Sequence, residues 1–304
     1  MPQPISFPAA DGYALRGFAW HGADAPAQPR PIVVINCATS VRCRYYERFA
    51  DALHARGCDV LTYDYRGIGE SRPGSLRALG ASWLDWGAND FEGALRYAMA
   101  HFPGQPVYAV GHSIGGFVIG LAPSAHRIER IFTMGAQFAY WRDYARRTRL
   151  GMVLRWHIAM PLIAHLCGYV PAKRLGWMED TPKGVALDWA GMGPRFEASL
   201  RDAGDAPGRF AQVRAPILAL GIDDDPFGTV AAIDRLLGYY SGSERHHLRL
   251  APGTVGEAEI GHFAFFHKRF ENSLWPLALN WLLGQRLPAP LPGVLTRYPA
   301  RQAG

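Results

Sequence analysis

Gly111-His112-Ser113-Ile114-Gly115 sets a serine between two glycines with the G-x-S-x-G spacing of a nucleophile elbow. The spacing answers a steric need. A chain that reverses tightly at Ser113 has no room for side chains two residues to either side, and the reversal lifts the hydroxyl clear of the backbone. A helix starting there would turn its positive end toward that hydroxyl. The chemistry this suits is attack on an acyl carbon, for which a serine needs an imidazole base and the imidazole needs a carboxylate to fix its tautomer. Two backbone N–H donors must also face the developing oxyanion, and Ile114, just after the serine, supplies the first. A glycine-rich turn with an incidental serine would read the same over five residues, so the flanking elements decide.

Those elements alternate between strand and helix patterns, which predicts an α/β fold with a largely parallel sheet. Ile5-Ser6-Phe7 and Tyr13-Ala14-Leu15 flank the hairpin dipeptide Asp11-Gly12, and Pro26–Pro31 reads as a loop. Pro31–Ile35 and Asp59–Tyr63 are strand runs, separated by a helix pattern carrying Tyr46, Phe49, Ala50 and Leu53 and ending at Gly57. Leu84–Phe102 reads as a helix with Phe91, Leu95, Ala98 and Met99 inward. The strand Val107–Val110 runs directly into the serine turn, and Arg130–Met134 is the next strand. From Gln137 to about Phe210 the alternation breaks; the segment is too long for an ordinary loop and reads as a helical insertion. Strands at Pro216–Leu220 and His247–Leu250 and helices at Val230–Tyr240 and Phe263–Leu283 then resume it. The expected division is a core of 1–136 and 211–286, an insertion of 137–210, and an irregular, proline-rich tail of 287–304.

Composition narrows the class. Hydrophobic residues at 49% and charged residues at 19% of 304 exclude a disordered chain, and the length alone can bury a large core. The balance of 32 Lys and Arg against 26 Asp and Glu is too even to point to nucleic acid. Cys37, Cys43, Cys58 and Cys167 have no metal-like spacing and read as reduced, buried hydrophobes. Met1–Ser6 lacks a basic, then apolar, signal pattern, and Leu150–Val170 is interrupted by Arg155, His157, Pro161 and His165, so no membrane span is expected. Cytoplasmic location is the expectation.

On these residues the chain resembles the α/β-hydrolase-fold serine hydrolases, in the lipase, esterase and serine-aminopeptidase-like branch that includes a group of bacterial predicted hydrolases. The resemblance covers about residues 5–285. It rests on Gly111–Gly116, on Tyr63-Asp64-Tyr65-Arg66-Gly67-Ile68-Gly69-Glu70-Ser71, on Asp224-Asp225-Pro226-Phe227 and on Gly261-His262-Phe263. The family order of serine, acid, histidine implies an acid among Asp223, Asp224 and Asp225 and a histidine at His262. Counting from Gly221 favours Asp224. Counting from Pro216, and from the Pro226-Phe227 that follows, favours Asp225, which is taken as the acid with Asp224 as alternative. A carboxylate cluster also suits a hard cation, but consecutive residues cannot all aim at one ion, and neither metal nor cofactor is expected.

Asp64, Arg66 and Ser71 belong to the family's D-x-R-G-x-G-x-S turn and are read as structural. Where the family commonly has His-Gly after its first parallel strand, this chain has Asn36-Cys37-Ala38-Thr39, and Ala38 is favoured as the second oxyanion donor over Cys37 and Thr39. The insertion falls where the family carries its cap. Its Phe138, Tyr140, Trp141, Tyr144, Trp156, Tyr169, Trp177 and Trp189 imply an apolar pocket, and Arg142, Arg146, Arg147, Arg149 and Arg155 read first as a solvated face. His112 reads as a packed neighbour of the serine, His246 and His247 as one surface and one core residue, and His267 as having no role. The implied activity is hydrolysis of an ester, thioester or amide through an acyl-enzyme, on a small acyl substrate with an apolar portion. The alternatives are acyl transfer to an alcohol or amine by the same triad, and a non-catalytic ligand-binding descendant of the fold.

Overall fold

The computed structural model describes residues 2–22, 30–287 and 289–301, so most of the loop expected at Pro26–Pro31 lies outside the described residues. Among the described residues nine strands form one sheet: β1 (Gln3–Pro8), β2 (Ala14–Trp20), β3 (Ile32–Asn36), β4 (Asp59–Tyr63), β5 (Val107–His112), β6 (Arg130–Met134), then, after the insertion with its two-stranded pair β7 (Tyr169–Val170) and β8 (Thr181–Pro182), β9 (Ile217–Ile222), β10 (Arg245–Leu250) and β11 (Val294–Tyr298). Their order is β1-β2-β4-β3-β5-β6-β9-β10-β11. The pairs from β4 through β10 are parallel, and the antiparallel pairs lie at the two edges. Every residue of β3, β4, β5 and β9 is buried, as runs such as Ile32-Val33-Val34-Ile35 require when both faces are covered.

Two expectations change. The helix expected over Phe263–Leu283 is two short 3-10 turns, Ala264–Phe266 and Lys268–Phe270, followed by a helix only from Trp275 to Gly284. Pro276 sits in that helix's first turn, where its missing N–H costs nothing, and further inside a longer helix it would break the ladder. The tail of 287–304 is not irregular throughout: β11 pairs antiparallel with β10 and closes that edge of the sheet. Its short run Val294-Leu295-Thr296-Arg297-Tyr298 lies behind a proline cluster that masked the strand signal.

The insertion is built around one helix, Arg149–Cys167, whose middle, Val153–Ala159, is a π-helical stretch and which ends at left-handed Gly168. This helix turns Met152, Trp156, Met160 and Ala164 inward. By length and composition it could cross a membrane, although that row is packed inside the insertion. The return to the core precedes the expected boundary at 211. The helix Ala206–Gln212 already packs on α1 (Ile114–Leu121), with Phe210 and Phe117 ring centroids 5.6 Å apart.

The turn after β4 is a buried electrostatic tie. Asp64 accepts N–H groups from Cys43 at 2.7 Å and Glu70 at 2.8 Å, and Arg66 meets Asp90 at 2.7 Å and Asp11 at 2.7 Å. Burial pushes the Asp90 carboxyl up to about 7 even against the Arg66 guanidinium. Replacing Arg66 by methionine should therefore destabilise the fold by about 3–5 kcal/mol at pH 8, because a buried carboxylate loses its counter-charge. With a raised folded-state pKa, Asp90 binds its proton more readily folded than unfolded, so the deficit should shrink as pH falls from 8 to 5. Urea denaturation of both proteins across that range checks it, and a deficit independent of pH would contradict it.

Candidate active site

Ser113 stands at φ 56°, ψ −121°, between the end of β5 and the first residue of α1. That backbone is strained for a residue with a side chain and is held by its surroundings. Gly115 shows why the motif needs glycine: a Cβ there would lie 2.3 Å from the Asn36 carbonyl oxygen. The turn thus carries the serine at the carboxyl edge of the sheet, where open α/β sheets bind ligands.

The chains that follow β9 and β10 meet it there. His262 Nδ1 lies 2.7 Å from Asp225 Oδ2, and both side chains are buried. An ionised carboxylate can only accept, so Nδ1 donates in this bond, and in the neutral ring Nε2 carries the lone pair. Asp225 Oδ1 accepts the N–H groups of Phe227 and Gly228, each at 2.8 Å, which fixes the plane of the carboxylate. Gly135, at φ 56°, lets the backbone after β6 pass against this pair; a Cβ there would lie 2.7 Å from Asp225 Oδ2.

The three adjacent aspartates have separate partners. Asp223 pairs with Arg249 at 3.2 Å, outside the site. Asp224 accepts the N–H groups of Ile260 and Gly261, each at 2.9 Å, and so holds the loop that carries His262. Only Asp225 faces the imidazole.

Ser113 and His262 line one cavity of about 620 Å³, together with Trp156, Trp177, Trp189 and Phe227. Trp156 stacks on Trp189 at 4.9 Å, and Phe227 lies 5.0 Å from the His262 ring, so one wall is a continuous aromatic surface. The other insertion aromatics divide differently: Phe138 and Tyr144 are buried in the core, while Trp141 is exposed. His157 bonds the Ala190 carbonyl and the Tyr144 hydroxyl, and burial lowers its pKa, so it serves the insertion's own packing.

Sequence reasoning missed what holds the serine. Among the described residues the Ser113 hydroxyl accepts from Gln137 Nε2 at 3.4 Å, and no hydrogen bond joins it to His262. Gln137 is itself oriented, its side-chain oxygen taking the N–H of Ala139.

The amide expected as second oxyanion donor already has a partner. The Ala38 N–H does not face the cavity freely; it donates to the Tyr46 hydroxyl at 2.8 Å. A chain of bonds continues from there. The Tyr46 hydroxyl donates to His112 Nδ1 at 2.8 Å, and His112 Nε2 donates to the His262 carbonyl at 2.9 Å. Burial holds the His112 pKa well below its usual value, as its accepting nitrogen requires. His112 therefore connects the turn after β3 to the histidine loop, beyond the packing expected of it. His246 and His247 are both buried, against Glu244 and Asp234, where one surface residue was expected. His267 meets Tyr45 at 3.0 Å. No local pattern announces Gln137 or Tyr46, because each acts across a turn that only the folded sheet creates.

Sheet order and serine elbow define the class by architecture: the chain has the α/β-hydrolase fold. Within it, residues 27–168, a little under half of the chain, match the family described as serine aminopeptidase, S33. Solved structures agree on the fold. An esterase of Pyrococcus furiosus, Pf2001, is 12% identical with TM-score 0.57, over 93% of this chain and 90% of its own. A thermostable carboxyl esterase from Bacillus coagulans is also 12% identical with TM-score 0.57, over 93% and 98%. A puromycin hydrolase is 19% identical with TM-score 0.54 over 92% of this chain, which spans only 38% of that protein's length. No curated protein matches the sequence.

Proposed function

We propose that this protein hydrolyses a carboxylic ester, thioester or amide through an acyl-enzyme on Ser113. The observation that carries the proposal is the 2.7 Å Asp225–His262 pair opening on the same apolar cavity as the elbow serine. In the proposed reaction the Ser113 hydroxyl turns from Gln137 to His262 and attacks the acyl carbon while Nε2 takes its proton. Asp225 stabilises the imidazolium, which then protonates the leaving group. Water, deprotonated by the same nitrogen, releases the acid and restores the serine. The oxyanion rests on the Ile114 N–H and on an amide of the turn after β3; with Ala38 engaged by Tyr46, Thr39, which also lines the cavity, is the candidate.

The lining selects the substrate. A cavity of 620 Å³ walled by Trp156, Trp177 and Trp189 suits a small molecule with an apolar acyl chain or ring. Each methylene buried there contributes about 0.8 kcal/mol, so kcat/KM for p-nitrophenyl esters should rise roughly fourfold per carbon from acetate upward, until the cavity is filled. Assays along that series, with amide analogues and with added alcohols and amines, test the reading. Free acid should be the product throughout. Product found only as acyl transferred to the added nucleophile would replace hydrolysis with transferase activity, and no turnover of any ester or amide would remove the proposal.

A further inference from the structure

The cap helix Arg149–Cys167 carries two opposite rows. Met152, Trp156, Met160 and Ala164 form the inner one, and Met152 and Trp156 wall the cavity. Leu150, Leu154, Ile158, Leu162 and Leu166 repeat every four residues on the outside and are 74%, 52%, 54%, 57% and 75% exposed. Residues at that spacing align into one ridge, here about 24 Å long at 1.5 Å per residue. Isolated exposed leucines need no explanation, but a contiguous apolar ridge on an otherwise ordinary surface marks an interaction site.

Charge identifies the partner. From Tyr144 to Met178 the chain has no aspartate or glutamate, yet it contains Arg146, Arg147, Arg149, Arg155, Lys173 and Arg174. Those cations equal the formal net charge of the whole protein, +6. Among the described residues only Lys173 of this group has an acidic partner, Glu179 at 3.3 Å. A twofold contact between two copies would set this patch against itself, cation facing cation, with no acid in the segment to compensate. An anionic bilayer meets it with opposite charge while the ridge enters the boundary between headgroups and acyl chains, as interfacial amphipathic helices do. Trp141, exposed just before the helix with the Arg142 guanidinium 5.2 Å from its ring, is the kind of side chain that sits at headgroup level.

We propose that the outer ridge of the cap helix docks this protein on an anionic lipid bilayer. The helix then lies along the surface, not across it, since its inner row is committed to the cap. Docking also brings the cavity to that surface, because Thr148, Gly151 and Arg155 of the same segment line it. The proposal does not depend on the chemistry at Ser113.

Co-sedimentation with vesicles of phosphatidylcholine, with and without 30% phosphatidylglycerol, tests it on the full chain, alongside light scattering. Binding should need the anionic lipid and weaken at least tenfold between 50 and 300 mM salt. The triple substitution Leu154→Gln, Ile158→Gln, Leu162→Gln should abolish it, while hydrolysis of a short, soluble ester is unchanged; none of these residues lines the cavity. Should that variant not fold, Arg142→Gln with Arg146→Gln should still cut binding to anionic vesicles at least tenfold. Failure of the wild type to sediment with anionic vesicles overturns the proposal. So does a dimer that the triple variant dissociates and vesicles do not displace, which would assign the ridge to a second copy.

Discussion

Ser113→Ala is expected to lower kcat by about 10⁵–10⁶-fold and to abolish labelling by a fluorophosphonate, while circular dichroism and urea stability stay near those of the wild type. The size follows from the division of labour. In the proposed mechanism no acyl-enzyme forms without the hydroxyl, and cavity and oxyanion donors can only assist direct attack by water. The fold should tolerate the change because the strained φ of 56° is imposed by Gly111, Gly115 and the strands around them, and alanine meets the same constraint as serine. Among the described residues the side-chain bond lost is the 3.4 Å contact with Gln137. Retained turnover in the purified variant would place the nucleophile elsewhere.

Asp225→Asn should cost about 10⁴-fold in kcat, and the reason is geometric. Phe227 and Gly228 point two N–H groups at Oδ1, so the asparagine oxygen must settle there and its NH₂ must face His262. That NH₂ forces Nδ1 to accept and leaves the proton on Nε2, where the base needs a lone pair. Asp224→Asn is the control. Asp224 accepts Ile260 and Gly261 N–H groups, so asparagine keeps one bond and loosens the loop without altering the imidazole tautomer. Its expected loss is about tenfold, carried by kcat with KM little changed. Equal losses in the two variants would remove Asp225 from its proposed role.

Much of the framework was legible beforehand because it is written in short-range patterns. Asp59–Tyr63 shows its strand by β-branched and aromatic content, and the elbow shows itself by glycines that only one backbone shape requires. The C-terminal region was less legible for equally local reasons. Pro276 divides an apolar run that otherwise reads as one helix, and prolines ahead of β11 hide a strand whose stabilising partner, β10, lies more than forty residues earlier.

Within the site, residue types and order singled out Ser113 and His262, and the spacing of the acids narrowed to two neighbours. Which carboxylate faces the ring depends on the direction of adjacent side chains, and successive residues point apart. Only the fold turns Asp225 toward His262 and Asp224 toward the Ile260–Gly261 amides. The same holds for Gln137 at the serine and for Tyr46, which engages the Ala38 amide. Backbone preference acts over a few residues and can be read along the chain. A hydrogen bond between distant residues is decided by where packing leaves each donor, so these partnerships became visible only in three dimensions.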